Sequence, residues 1–341
     1  MRHRLLPSLL SFAAAVAVTL LTVAPASAQA QNVAAKPAAA ATNSGSKTWT
    51  APKTPDGVPD LQGVWTNQTS VPLERPPALG AKEFYTPDEL AKKEEQDNAA
   101  AARRAEAGES GVHYDVAQFG LDRSHSKTGV TERTSIIVGP DGKVPPLLPA
   151  AQQRQAARQA ANRGHQWDGP ENRALGERCI LWPNEGPPML PEGYNSNMQI
   201  VQGPGYVAIE QEMIHDTRVI PTDGRAHVAK NVRLYLGDSV GHWEGNTLVV
   251  DTTNFTDRTA FRGSSENLHV IERFTRTADD TILYQFTIDD PTTWDKPWSG
   301  ELPITKINSQ IYEYACQEGN YGMRNILSGA RATEKAEAAK Q

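Results

Sequence analysis

The sequence predicts a mainly β fold: an antiparallel meander closed or curled into a barrel, preceded by an irregular, partly helical N-terminal arm. From Met198 onward, β-branched and aromatic residues dominate, and turn signals recur at Pro204-Gly205, Asp223-Gly224, Gly245-Asn246 and Asp279-Asp280. Within this region apolar and polar residues alternate with the period of a strand. A meander this long hides its edges by closing or curling.

The first 28 residues read as a secretory signal. Arg2, His3 and Arg4 form the basic start, Leu5 to Val23 is apolar, and Ala26-Ser27-Ala28 fits the small-x-small cleavage rule. The expected product is periplasmic or secreted, cleaved near Ala28. Losing Arg2 and Arg4 takes the net charge from -6 to -8, which argues against nucleic acid and anionic membranes as partners. No later segment is apolar enough for stable membrane insertion. Residues 29–58 read as a disordered linker, 59–177 as an irregular and helical wrapping segment, 178–331 as the barrel-like domain and 332–341 as a disordered tail. The two cysteines, Cys179 and Cys316, are expected to pair in an oxidising compartment, contributing roughly 3–5 kcal/mol.

In the arm, Asp60 to Trp65 is a strand candidate. One helix begins with Thr86 as N-cap, Pro87 in its first turn and Glu89 closing a capping box, and it stops at Gly108. A second runs from about Ala150 to Asn162. The later strands are expected at Met198–Gln202, Tyr206–Ile220, Val232–Leu236, Thr247–Thr253, Leu268–Arg276, Thr281–Ile288 and Gln310–Cys316.

Several motifs carry possible chemistry. Gly237-Asp238-Ser239-Val240-Gly241 fits G-x-S-x-G, but no helix follows to make a nucleophile elbow. Gly237 and Gly241 therefore read as bulge residues, with Ser239 hydrogen-bonded to backbone. Ser124-His125-Ser126-Lys127 and Lys127-Thr128-Gly129 resemble penicillin-binding motifs, yet one lysine cannot fill both roles. His215, His227, His242 and His269 are spaced by 12, 15 and 27 residues, with no metalloprotease signature. No cofactor is expected; if a divalent metal binds, its ligands are His215, His227 and His269.

The stronger signal is charge within apolar strands. Period two puts Glu272 on one face with Leu268, Val270 and Phe274. It groups Glu313 with Ile311 and Ala315, and Glu210, Glu212, Asp216 and Arg218 with Ile214 and Ile220. A buried carboxylate must be paired, protonated or solvated in a cavity. A cavity lined by such groups suits acid–base chemistry, whereas a Glu272–Arg218 pair would merely brace the barrel. The expected site has Glu272 or Asp216 as acid/base and His215 and His269 as proton-transfer partners. Arg218, Trp243, Asp251 and Glu313 would bind substrate. Trp294 and Trp298, in a Pro-bearing loop, suggest a sugar or aromatic ligand. The expected function is a cofactor-free hydrolase, lyase or isomerase acting on a small polar or aromatic molecule; the alternative is a non-catalytic periplasmic ligand-binding protein. No nucleotide-binding signature points to redox chemistry.

Two resemblances add to this. Gly63-x-Trp65 resembles the first strand of lipocalin-like barrels, in which the Trp plugs one end. The segments Glu212–Arg225, Gly237–Phe255, Glu272–Arg276, Asp289–Trp298 and Tyr312–Arg331 resemble a family of exported bacterial proteins with GDSxGxWEGxTLVVDTxNF and YEYACxEGNY motifs. In that family His is common where Gln317 stands and Arg where His242 stands. The resemblance implies a secreted, β-rich fold and carries over no catalytic residue.

Overall fold

Nine antiparallel strands form one sheet in the order β4-β3-β2-β1-β9-β8-β7-β6-β5. The strands are β1 (Gly63–Thr66), β2 (Asn197–Gly203), β3 (Tyr206–Gln211), β4 (Thr217–Pro221), β5 (Asp238–Glu244), β6 (Thr247–Thr253), β7 (His269–Ala278), β8 (Thr281–Asp289) and β9 (Trp298–Lys306). The helices are α1 (Pro87–Glu106), α2 (Pro149–Asn162) and α3 (Tyr321–Ala338). The computed structural model describes residues 49–106, 129, 131–182, 185–191, 195–259 and 261–340. The segment read as a secretory signal, most of the expected linker, and the Ser124–Gly129 motifs apart from Gly129 lie outside these residues.

The sheet curls until its two edge strands meet. β4 and β5 pack side by side but share no ladder. Gly241 makes this approach possible: a Cβ there would lie 2.9 Å from Ile220 Cγ2. The β5–β6 register runs unbroken through Gly241, so the expected bulge is replaced by a close packing contact. Gly237 does adopt a left-handed φ of 70°, and Ser239 bonds the Thr252 hydroxyl rather than backbone.

The interior is filled, not hollow. Ile200, Val207, Ile209, Ile220, Leu248, Val250, Val270, Phe274, Phe286 and Leu302 are all buried. Trp65 is fully buried, donates its indole N–H to Leu61 O at 2.9 Å, and has Arg276 and Lys306 at its ring. Trp294 and Trp298 are buried too, in an edge-to-face pair at 5.6 Å, so they form core and not a binding rim.

Several expected elements change. Tyr206–Ile220 is two strands, because Ile214 and His215 take left-handed φ of 63° and 64° and reverse the chain. The reversal also changes facing: Arg218 is buried inside while Glu210, paired with Thr217, looks outward. Gln310–Cys316 is irregular, and Glu313 is exposed on it. Both edges of β9 are already occupied, by β8 and β1, with the 136–138 segment bridging further along. No partner is left there for another strand. Val232–Leu236 makes only a bridge, from Leu234 to Phe255. β9 itself was hidden in the sequence by Gly300 and Pro303. The wrapping segment contributes β1, which sits between β2 and β9, so the barrel does not begin at residue 178. Within the expected linker Ala51 and Thr54 are buried, and α3 extends through most of the expected tail. The capping box forms as read: Thr86 N–H donates to Glu89 Oε2 at 2.8 Å.

Arg218 and Glu272 meet in the core through two hydrogen bonds, 2.7 and 3.0 Å long. Tyr284 O–H donates to Glu272 Oε1 at 2.8 Å and accepts from Met189 N–H at 2.8 Å. Burial opposes the Arg218 charge, but the facing carboxylate overcomes it and pushes the Arg218 pKa up. Burial, then the Glu272 charge, holds the Tyr284 phenol well above its ordinary value. This is the bracing arrangement, and it leaves no open cavity at Glu272, which is 0 % exposed. Removing one partner strands the other charge, so Glu272→Gln should cost about 3–5 kcal/mol in urea unfolding. The Arg218→Met/Glu272→Leu double variant should lose less than either single variant.

Candidate functional site at the barrel rim

The strand termini of one barrel end carry two groups of titratable side chains. The first lies on the outer face of β5, β6 and β7. Here Asp238, Asp251 and His269 point outward, and the loop between β4 and β5 brings in His227. That loop is held by Asn254, whose amide donates to Val228 O and Ala229 O at 3.1 and 3.2 Å. His227 Nδ1 lies 2.8 Å from Asp238 Oδ2, and its Nε2 lies 3.1 Å from Asp251 Oδ1. The same oxygen is 3.0 Å from His269 Nε2. The result is a continuous Asp238–His227–Asp251–His269 array, part-buried along its length.

The electrostatics follow from these contacts. Burial alone would raise the Asp251 pKa; the hydrogen bond and charge of His269, then those of His227, outweigh it and bring the pKa below its ordinary value. The hydrogen bond to Asp251 raises the His269 pKa despite burial, helped by the charges of Asp251 and Asp289.

The second group surrounds the turn between β3 and β4. His215 Nδ1 accepts from Tyr314 N–H at 2.9 Å, so a proton on the neutral ring sits on Nε2. The 308–317 loop that supplies Tyr314 is tied down by the Cys179–Cys316 disulfide. His215 lines an open polar cleft with Gln199, Glu210, Ser309 and Gln310. Beneath the turn, Glu212 accepts from the amides of Asn195 and Asn197 at 2.7 and 2.6 Å. Burial raises its pKa and that of Asp216. Cys179, Asn195, Ile214 and His215 all have positive φ, a concentration of backbone strain at one place.

Glu185 is the residue that sequence reasoning missed. It sits in a loop rich in Gly and Pro with no periodicity to assign it a face. It is 4 % exposed, with Oε2 accepting from Trp182 N–H at 3.0 Å. Burial, with the charge of Asp216 adding to it, raises its pKa to about 8.

The expected residues therefore divide. Asp251, His269 and His227 come together, with Asp238 as a further member. Asp216 and His215 belong to the β3–β4 turn. Glu272 and Arg218 are in the core, Trp243 packs at the far end of β5, and Glu313 is on the surface. His215 does not join His227 and His269, and among the described residues no group of three or more His, Cys, Asp or Glu is arranged to hold a metal ion. Also among the described residues, no helix is long and apolar enough to cross a membrane. Comparison of the chain with protein-family models, curated proteins and solved structures gave no match.

Glu185 makes stability depend on pH. Its folded pKa lies above the unfolded value, so its contribution is complete below about 4.5 and is lost as pH rises through about 8. Glu185→Gln should stabilise the protein at pH 8 by on the order of 2 kcal/mol and change it little at pH 4, as read from melts across that range.

Proposed function

We propose that this protein is an exported acid–base enzyme, a hydrolase, lyase or isomerase, that acts on a small polar molecule at the rim with His269 as proton acceptor. The supporting observation is the shared oxygen: Asp251 Oδ1 faces the Nε2 atoms of both His269 and His227. With the Nε2 proton of His269 directed at Asp251, Nδ1 is the ring atom able to take a proton from substrate. Asp251 fixes the ring and stabilises the imidazolium that forms, as an orienting carboxylate does in other histidine-based sites. His227 and Asp238 hold Asp251 in place. The Cys179–Cys316 disulfide, the N-terminal signal pattern and the motif resemblance support export.

A second reading is a non-catalytic small-ligand-binding protein. It is favoured by the cleft at His215, where Gln199, Glu210 and Gln310 make no side-chain hydrogen bond among the described residues.

The test is turnover of a panel of esters, glycosides and enolisable carbonyl compounds by wild type, His269→Gln and Asp251→Asn. Loss of Asp251 should lower kcat/KM by about 10²–10³-fold. The acid limb of the pH profile should move to lower pH, because the contact that raises the His269 pKa is gone. Full activity in His269→Gln would sink the catalytic reading. Saturable binding without turnover of any compound by the wild-type protein would favour the second.

A further inference from the structure

At the opposite end of the strands lies a cleft lined by Trp243, Tyr206, Asp56, Thr222 and the glycines on either side of Pro204. Trp243 is near the end of β5 and Tyr206 opens β3, so the rim residues and this cleft are separated by the length of the barrel wall. Trp243 packs against the core, which fixes its indole. Tyr206 is 44 % exposed and lies across Gly203, where a Cβ would stand 2.6 Å from Tyr206 Cζ. Any side chain at that position would lift the ring away. At Gly205, with φ of 79°, an added Cβ would meet only Asp223 Cβ, at 3.7 Å, apart from the chain neighbours. The cleft is thus walled by two aromatic rings beside bare backbone.

Its polar side chains are few, and one of them is committed: the Gln202 amide accepts from Leu61 N–H at 2.6 Å and donates to Pro59 O at 3.0 Å. The Asp56 carboxylate and the Thr222 hydroxyl make no side-chain hydrogen bond among the described residues, and no Lys or Arg lines the cleft. A ligand that fits must offer an apolar face to the rings and hydroxyl donors at its edge, with no negative charge. A pyranose ring has this form: C–H bonds on one face and hydroxyls around the perimeter. An anion would meet Asp56 with no cation to balance it, and a plain aromatic ring would leave Asp56 and Thr222 unused.

From this we infer that the Trp243–Tyr206 cleft is a binding site for one neutral pyranose unit. The site stands apart from the rim and does not depend on the acid–base reading.

The test is calorimetric and fluorescence titration of the whole protein with methyl β-D-glucopyranoside, methyl β-D-galactopyranoside and methyl α-D-mannopyranoside. At least one should bind saturably, with a dissociation constant on the order of 1 mM. Tyr206→Ala and Asp56→Asn should each weaken it about tenfold, while their melting temperatures stay close to wild type. His269→Gln should leave binding unchanged, which separates this site from the rim. Three results would overturn the assignment: no saturable binding of any pyranoside, affinity unaltered in both variants, or tighter binding of phenol than of every pyranoside.

Discussion

The ion pair between Arg218 and Glu272 closes what the backbone leaves open. β4 and β5 are the two ends of the sheet, and no hydrogen-bonded ladder joins them. Arg218 projects inward from β4 and reaches Glu272 on β7, the third strand beyond the gap. The pair therefore spans the seam from inside while Gly241 and Ile220 pack along it. Buried charge is costly, and a fully apolar interior would often be as stable or more so. What the pair adds is a directional tie: a fork of two hydrogen bonds with one geometry, on a strand that is bonded along only one edge.

That tie fixes the position of β4, and with it the turn that begins the strand. His215 and Asp216 immediately precede Thr217, and the loop leaving β4 delivers His227 to Asp238 and Asp251. Both titratable groups at the rim thus take their placement from the strand that the core pair holds. The two differ in chemistry. In the histidine array each imidazole faces a carboxylate. The turn group is acid-rich and partly buried, and Glu185 retains its proton at neutral pH.

Much of the fold was legible because period two is a local signal. It placed Glu272 inside with Val270 and Phe274 and found Thr247–Thr253 to the residue. It failed where backbone geometry departed from the residue type. Nothing in an isoleucine announces a left-handed φ, so the turn at Ile214 and His215 was read through as strand and Glu210 was assigned to the wrong face. β9 was missed because Gly300 and Pro303 are poor strand formers, tolerated there by the packing of Phe286 against Gly300. The histidine array was legible only as residue types. Its members come from three strands and a loop, and spacing along the chain carries no record of which strands become neighbours.

The placement of β1 governs the order in which the molecule can assemble. Strands β5 to β9 pair with their sequence neighbours, so that half of the wall needs only short loops to form. β1 is different: its partners are β2, more than a hundred residues later, and β9, the last strand of all. Closing such long loops carries a chain-entropy cost that local hairpins do not face. Until Thr305 and Lys306 are available, β1 has a bare edge and the two halves of the wall are not joined. The first strand in the sequence is thus the keystone, set only when the final strand arrives.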